Sequence, residues 1–373
     1  MSSQKIDFLY LNEEDMINAG VLDMDKCVES IDEMFRLMGT GDYLMGGPHE
    51  NDHGIMLWFP REKRSEKMPM QGTDRRFLAM PAYLGGRFYI CGEKWYGSNR
   101  ANLEKGLPRS ILTVMLNDVD TGAPVALMSA NLLSSMRTGA VPGVATRYLQ
   151  SSNAANVGII GAGVISNSCM RAIAKTIKNK GEARVYDVFP EKSKKFCEDL
   201  EALTGMKMVP VASLREAVED CDIVSVAASG AKPVVIEDEW IKDGAVIEIT
   251  GEAKLSEQCY MNSHIVMDNW KMHEVYLKEM QEIPELLVGT THITAPDLFQ
   301  AIIEGKVKIE DIDSLGDIIE NPALGRKSDK EKIIFITAGM PIEDLAWGYD
   351  VYQEAVKKGL GQTLNLWEKP YLA

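Results

Sequence analysis

The sequence predicts an α/β protein whose central part forms a parallel, doubly wound sheet. Between residues 156 and 249, short apolar strands alternate with helical segments, a pattern typical of parallel sheets. The first strand, residues 156–160, leads into a tight glycine turn and then a helix over residues 165–179. Upstream, residues 77–128 carry four apolar runs separated by turn signals, which predicts a mixed or antiparallel sheet.

The remaining elements follow from apolar periodicity and turn residues. Further strands are predicted at residues 8–11, 77–80, 88–91, 111–116, 124–128, 183–187, 206–211, 223–227, 245–249 and 333–336. Helices are predicted at residues 25–38, 130–149, 191–204, 214–219 and 342–358. Residues 40–75 are rich in Gly, Pro and charge and predict a long loop.

Composition excludes several classes of function. The net charge of −15 would repel nucleic-acid phosphates and anionic membranes, so an anionic substrate requires a local cluster of cations. No apolar run approaches the ~18 residues of a membrane span, and the N-terminus lacks a signal pattern. The six cysteines form no CxxC pair, which favours reduced thiols and a cytoplasmic location. His49 and His53 lie in a polar, Gly-rich stretch, so we expect no metal site.

The glycine turn is the strongest chemical signal. Gly161 permits the turn, Gly163 lets the backbone approach a pyrophosphate, and the following helix offers free N–H groups, as in a Rossmann nucleotide site. Asp187 ends the next strand, where a carboxylate accepts hydrogen bonds from ribose hydroxyls and repels a 2′-phosphate. NAD is therefore favoured over NADP, although Lys192, Lys194 and Lys195 weaken that preference. The alternative for the glycine loop is a structural turn without ligand, and the separate alternative for Asp187 is a plain helix-capping residue.

Further stretches of sequence resemble the ornithine cyclodeaminase/mu-crystallin family. The resemblance runs from about residue 77 to residue 365, and it depends on the order and spacing of seven segments. They are residues 77–83 (FLAMPAY), 92–95 (GEKW), 135–140 (SMRTGA), 161–164 (GAGV), 249–254 (ITGEAK), 325–329 (GRKSD) and 337–344 (TAGMPIED).

The resemblance implies a two-domain subunit that pairs with a second copy. Residues 134–324 would form the NAD-binding Rossmann domain, and residues 1–133 with 325–373 an α+β domain for substrate binding and dimerisation. Family members catalyse NAD(P)-linked chemistry at amino-acid Cα–N bonds. The expected activity is thus that of an amino-acid dehydrogenase or imine reductase. The alternatives are a redox-neutral cyclodeaminase and, less favoured, a ligand-binding protein without catalysis.

The resemblance also assigns site residues. Lys94 and Arg137 match substrate-holding cations; a guanidinium can grip the substrate carboxylate in a bidentate fork. Glu252, with Lys94, is the expected catalytic group, because a carboxylate beside an iminium carbon can move protons. Small residues after Arg137 (Gly139, Ala140 and Gly143) would allow a ligand to approach closely. Ala338 is assigned to the substrate, and the cofactor would be held by Arg137, Thr138, Gly161, Gly163, Val164, Ile165, Asp187, Gly251, Lys254 and Thr337.

Two differences from the family disfavour an ornithine-type pocket. The family's upstream arginine falls near Met45 here, and a glutamate before its Met-Pro pair corresponds to Leu78. An insertion between Phe59 and Phe77 carries six cations: Arg61, Lys63, Arg64, Lys67, Arg75 and Arg76. It is interpreted as a solvated loop; binding of a second substrate carboxylate is the alternative.

Overall fold

The computed structural model describes residues 4–228, 233–282 and 294–372. The chain forms two compact units. Unit 1 comprises Met1–Asp23, Gly41–Ser134 and Met340–Ala373, and unit 2 comprises Met24–Thr40 and Ser135–Gly339. Within the described ranges, no helix is both long and apolar enough to cross a membrane.

The elements are numbered in chain order. The strands are β1 Ile6–Leu11, β2 Tyr43–Met45, β3 Ile55–Trp58, β4 Arg76–Leu84, β5 Ile90–Ser98, β6 Ser110–Asp118, β7 Pro124–Ser129, β8 Val157–Ile160, β9 Glu182–Tyr186, β10 Lys207–Pro210, β11 Ile223–Val226, β12 Val234–Val235, β13 Val246–Ile249, β14 Ala253–Lys254, β15 His264–Met267, β16 Ile312–Ser314, β17 Ile333–Ile336 and β18 Gln362–Trp367. The α-helices are α1 Glu13–Ala19, α2 Met24–Thr40, α3 Asn131–Leu149, α4 Val164–Thr176, α5 Pro190–Thr204, α6 Leu214–Val218, α7 Glu257–Met261, α8 Trp270–Glu282, α9 Pro296–Ile303, α10 Leu315–Glu320 and α11 Pro341–Lys358.

Unit 1 is built on one mixed sheet of order β18-β1-β7-β6-β5-β4-β2, with β3 also paired to β4. Only β1 and β7 run parallel; the other pairs in this sheet are antiparallel. Side chains alternate across the sheet, so Leu78 and Met80 of β4 are buried while Phe77 is exposed. The core of the unit lies on the buried face, against α11. The prediction of a mixed or antiparallel sheet over residues 77–128 is confirmed.

The segment 40–75 is not one long loop, and that prediction is wrong in part. Tyr43–Met45 and Ile55–Trp58 form short strands that pair antiparallel with β4. Three or four residues are too few to show a period of two in sequence. Their conformation is set by the edge of β4, which offers unpaired backbone groups to the preceding chain.

Unit 2 contains an eight-stranded sheet of order β10-β9-β8-β11-β13-β17-β15-β16. Every neighbouring pair in it is parallel. The central strands, such as Val157–Ile160 and Ile223–Val226, are buried at every position, because helices cover both faces of a doubly wound sheet. The predicted α/β fold class is confirmed. The sequence does not predict strands β15 and β16.

The division of the chain differs from the predicted boundaries in two places. Strand β17 lies between β13 and β15, so residues 325–339 belong to unit 2 rather than to the other unit. Helix α2 also belongs to unit 2, where Gly316 of α10 approaches the backbone of Phe35 closely. Asp32 of α2 accepts a 2.6 Å hydrogen bond from Arg147 of α3. These contacts hold α2 to unit 2 although it is distant in sequence.

Candidate nucleotide and substrate site

The glycine turn joins β8 to α4 with the geometry that the sequence predicts. Gly161 has a φ of +93°, and a Cβ there would lie 3.0 Å from the Cα of Ala228, so only glycine fits easily. Gly163 is the N-cap of α4, and in the described residues no side chain caps that helix end. No described atom lies within 4 Å of a Cβ built on Gly163. The first N–H groups of α4 therefore border open space, which suits a pyrophosphate.

Asp187 is bound directly to this turn. Its Oδ2 accepts a 2.8 Å hydrogen bond from the backbone N–H of Ala162, and its Oδ1 accepts one from the N–H of Phe189 at 3.0 Å. Phe189 is itself the N-cap of α5, and no side chain described here caps that helix. The alternative of Asp187 as a plain helix cap is therefore wrong. The carboxylate is fixed at the edge of the glycine turn.

The lysines beyond Asp187 are engaged elsewhere on or near α5. Lys192 lies 4.6 Å from the centre of the Phe189 ring. Lys195 pairs with Asp199 at 2.9 Å, and Lys194 lies 4.0 Å from Glu198. The charges of Lys194 and Lys195 are therefore partly compensated by acids other than Asp187, which reduces their expected effect on cofactor preference.

The helix after the turn divides its side chains between solvent and core. Val164 is exposed, Ile165 is half-buried, and Ser166 is buried. A small residue at position 166 lets α4 pack close to the sheet, as predicted. Val164 and Ile165 thus lie beside the uncapped helix end.

A second loop meets the glycine turn at Ala228. Gly251 donates its N–H to the carbonyl of Val226 at 2.9 Å, and a Cβ on Gly251 would lie 2.5 Å from the carbonyl oxygen of Ala228. Glu252 follows and is half-buried, whereas Lys254 is exposed on β14. The structure therefore brings the Gly161 and Gly251 loops together around one residue.

Arg137 lies on α3, is almost fully buried, and meets the turn that follows β17. A Cβ built on Gly339 would lie 2.7 Å from Nη1 of Arg137 and 3.6 Å from both its Cζ and Nη2. Ala338 of this turn is half-buried, as is Thr138 beside Arg137. Arg137 and the 337–339 turn, predicted separately, are thus neighbours.

The predicted role of the small residues after Arg137 is wrong. A Cβ on Gly139 would lie 2.3 Å from the backbone of Ser168, and one on Gly143 would lie 2.6 Å from the side chain of Ala172. Both glycines therefore allow α3 and α4 to pack closely, rather than giving room to a ligand. Ala140 is likewise fully buried.

Asp268, at the end of β15, holds the 337–339 turn. Its Oδ2 accepts hydrogen bonds from Thr337 Oγ1 (2.8 Å) and from the N–H groups of Ala338 (2.8 Å) and Gly339 (3.2 Å). Its Oδ1 lies 2.8 Å from Nε2 of His273. Burial opposes ionisation, but His273 and these hydrogen bonds outweigh it and hold the pKa of Asp268 below its usual value. The carboxylate is therefore ionised.

Lys94 of β5 is buried in unit 1. Its Nζ lies 2.6 Å from Oδ2 of Asp344, and the two side chains are 3% and 0% exposed. Asp344 and Glu343 lie in the first turn of α11, where the helix dipole favours a negative charge. Lys94 thus forms an ion pair with a buried carboxylate.

Glu248 is a further buried acid, located on β13 one residue before the end of the strand. It accepts a 2.8 Å hydrogen bond from Thr146 Oγ1. Burial raises the pKa of Glu248 to about 8, although the Thr146 bond opposes the shift. Glu248 is therefore protonated in the folded protein at neutral pH.

The basic insertion is held by local contacts in unit 1. Arg75 lies 4.9 Å from the centre of the Phe59 ring, and Arg76 lies 5.3 Å from that of Trp58. Arg76 also approaches Asp74 at 3.3 Å. At least these two cations thus have partners within the chain.

Sequence reasoning does not single out Asp268, Asp344 or Glu248. Asp268 directly follows β15, and because the sequence does not predict that strand, it gives no signal for an acid at the carboxyl edge of the sheet. Asp344 ends one of the segments that carry the family resemblance, but the resemblance gives it no role. Glu248 has no signal, since a glutamate within a strand does not reveal its burial.

Comparison with known proteins agrees with this geometry. N-((2S)-2-amino-2-carboxyethyl)-L-glutamate dehydrogenase of Staphylococcus aureus is 27% identical over 97% of this chain and 99% of its own length. The structure of Thermococcus litoralis Delta(1)-pyrroline-2-carboxylate reductase with NADH and L-proline matches with a TM-score of 0.77 and 28% identity, over 96% of this chain and 100% of that one. An archaeal alanine dehydrogenase dimer with bound NAD matches with a TM-score of 0.77 and 27% identity, over 97% and 100%.

The sequence profile of the ornithine cyclodeaminase/mu-crystallin family matches residues 21–359, which is most of the chain. The match includes the glycine turn, Lys94, Arg137 and the 337–344 segment. The resemblance inferred from sequence segments is therefore confirmed, and this chain belongs to the ornithine cyclodeaminase/mu-crystallin family.

Proposed function

We propose that this protein is an NAD-dependent oxidoreductase acting at the C–N bond of an α-amino or α-imino acid. The observation that carries the proposal is the turn before α4. Its helix end has no described side-chain cap, and the Asp187 carboxylate is bound to the backbone of the same turn. Relatives solved with NADH and with NAD support the assignment.

The residues present fit this dinucleotide. The open space beside Gly163 and the N–H groups of α4 would hold the pyrophosphate. Asp187 would accept hydrogen bonds from the adenosine ribose, and its charge disfavours a 2′-phosphate. Gly161, Val164, Ile165 and Gly251 would line the cofactor through their backbones, and Thr138, Thr337 and Lys254 would contribute further contacts. When bound, the nicotinamide supplies or accepts a hydride.

Arg137 and Lys94 would hold the substrate. In a chain of net charge −15, these cations provide the local attraction that an α-carboxylate requires. Arg137 would bind the carboxylate in a bidentate fork, with Ala338 beside it. Lys94, paired with Asp344, would orient the substrate and give a proton to its nitrogen. Glu252 would act as a general acid or base, transferring a proton to or from the same nitrogen.

A redox-neutral cyclodeaminase is the second candidate, and a binding protein without catalysis is the third. The three are separated by absorbance at 340 nm with a panel of amino acids, cyclic imines, and 2-oxo acids with ammonia or amines. Net NADH change supports the oxidoreductase. Ammonia release with catalytic NAD and no net change in absorbance indicates the cyclodeaminase. NADH binding without turnover of any substrate indicates the binding protein.

We further propose that the protein forms a homodimer through the exposed face of the unit 1 sheet. Phe77, Trp95 and Ile111 lie on that face, and the rings of Phe77 and Trp95 stack at 5.7 Å. Contiguous exposed apolar surface is typical of an interface, and the archaeal alanine dehydrogenase relative is a dimer. In sedimentation experiments Trp95→Glu should give monomers, whereas Ile17→Glu, an equally exposed site on α1, should not. An unchanged mass for Trp95→Glu would exclude this face.

The cytoplasm is the proposed location. Its support is that all six cysteines are free thiols in the structure and five of them are buried.

A further inference from the structure

We propose that the 337–339 turn, anchored by Asp268, is a positioning device for the guanidinium of Arg137, and that Gly339 must remain glycine for this reason. The proposal rests on the function proposed above, since it concerns how Arg137 is held for a substrate carboxylate. Neither Asp268 nor Gly339 would contact the substrate, so both are positioning residues.

The 337–339 turn is rigid. A single carboxylate oxygen, Oδ2 of Asp268, accepts hydrogen bonds from the Thr337 hydroxyl and from the next two backbone N–H groups. The other oxygen accepts the N–H of Asn269 at 2.8 Å and meets His273 at the same distance. Asp268 and Thr337 are 0% and 3% exposed, so water does not compete for these bonds.

The turn is in close contact with the guanidinium of Arg137. Gly339 has a φ of +81°, and three guanidinium atoms lie within 3.6 Å of the position that a Cβ would take. The guanidinium therefore occupies the space of the missing side chain. Any larger residue at 339 would displace it.

The backbone end of Arg137 is also fixed. Its helix, α3, packs against α4 through Gly139 and Gly143, whose Cα atoms approach α4 too closely for a Cβ. Arg137 is only 5% exposed. An arginine held at both its backbone and its guanidinium loses little entropy when it grips a carboxylate.

The test compares two glycines that both have a positive φ. Gly305, also in unit 2, has a φ of +71°, and no described atom lies within 4 Å of the position that a Cβ would take there, so Gly305→Ala carries the backbone strain alone. Gly339→Ala carries similar strain and also pushes on Arg137. We expect Gly305→Ala to keep the wild-type KM for the α-carboxylate substrate. Gly339→Ala should raise that KM by about 10²-fold, since a displacement of 1 Å can have this effect.

The Kd of NADH, measured by fluorescence, reports whether the nucleotide site is intact. We expect it to change far less than the KM in Gly339→Ala. Thr337→Val removes one of the three bonds to Oδ2 and keeps the side-chain shape, so it should raise KM in the same direction but less. If Gly339→Ala and Gly305→Ala have the same KM, the proposal is overturned.

A second arm does not depend on activity. Gly339→Ala should lower the Tm more than Gly305→Ala does in the wild-type background, because only the former collides with the guanidinium. In an Arg137→Ala background the two changes should lower it equally. If Gly339→Ala and Gly305→Ala lower the Tm by the same amount in the wild-type background as well, the contact with the guanidinium is excluded. If the coupling is present and KM is unaffected, the contact exists but does not position Arg137, which also overturns the proposal. Absence of any NADH-linked turnover by the wild type would instead refute the proposed function.

Discussion

The Nζ of Lys94 lies 2.6 Å from Oδ2 of Asp344, and both side chains are buried in unit 1. The side chain of Lys94 lies on the buried face of the sheet, in register with Met80 and Val114 on the neighbouring strands. A lysine among apolar side chains would be very costly without a carboxylate partner. The pair therefore fixes the position of Lys94 as well as its charge.

Removing one member of this pair should destabilise the fold more than removing both. Asp344→Asn leaves the charge of Lys94 buried without its carboxylate, and we expect the free energy of unfolding to fall by about 3–5 kcal/mol. The double variant Lys94→Met/Asp344→Asn removes both charges of the pair and should recover much of this loss. Urea denaturation of the wild type, both single variants and the double variant measures the coupling. Additive effects would show that the two charges do not interact.

Glu248 should make stability depend on pH. Its pKa is about 8 in the folded protein, above the ordinary glutamate value of 4.5, so between these values the folded state holds a proton that the unfolded state has lost. The contribution of this proton to the free energy of unfolding is complete below pH 4.5 and is lost as the pH rises to about 8. Over this range the free energy of unfolding falls by up to about 1.4 kcal/mol per pH unit.

Glu248→Gln mimics the protonated carboxyl and removes this dependence. The free energy of unfolding of Glu248→Gln minus that of the wild type should therefore increase from pH 5 to pH 8 and then level off. The measurement is denaturant unfolding of both proteins at each pH. A constant difference between them across this range would contradict the assignment of a protonated Glu248.

Cofactor preference should depend on the charge of Asp187. Asp187→Asn keeps an oxygen for the Ala162 N–H but no longer repels a 2′-phosphate. We expect the ratio of kcat/KM for NADPH to that for NADH to rise about tenfold, equivalent to about 1.4 kcal/mol. Asp199→Asn, which removes the same charge from α5, serves as the control. An equal ratio in the two variants would show that Asp187 does not face the ribose.

Arg137 should not tolerate lysine. A lysine ammonium cannot reproduce the bidentate fork, nor can it fill the space beside Gly339. We expect Arg137→Lys to lower kcat/KM about 10²-fold, which corresponds to the loss of one strong charge-assisted hydrogen bond of roughly 3 kcal/mol. Arg215→Lys, at an exposed pair on α6, is the control. Wild-type kinetics for Arg137→Lys would argue against carboxylate binding by this residue.

Much of the fold of unit 2 can be predicted, because its buried parallel strands are continuous apolar runs separated by helices. The strand Ile333–Ile336 is predicted with the observed limits. Strands β15 and β16 escape prediction because they lie among helices, and in a sequence a three- or four-residue apolar run there looks like part of a helix. The glycine turn is recognisable because its backbone conformation restricts the residue type.

The site is predictable only where the chemistry restricts residue identity. Gly161 and Asp187 can be predicted because a dinucleotide requires these residue types. The hydrogen bond from the N–H of Ala162, the residue after Gly161, to Asp187 agrees with that expectation. The role predicted for Gly139 and Gly143 is wrong, because a sequence does not distinguish a glycine that packs against a helix from one that faces a ligand. The partners Asp268 and Asp344 depend on contacts across 69 and 250 positions of the chain, which a local pattern does not contain.

The place of β17 in its sheet has a consequence for biosynthesis. This strand lies between β13 and β15, although it follows both of them in the sequence. Until β17 is in place, β13 and β15 each expose an unpaired edge that can pair with other chains. The sheet can therefore close only after β17 has been synthesised, and a chain truncated before Ile333 would be left prone to aggregation.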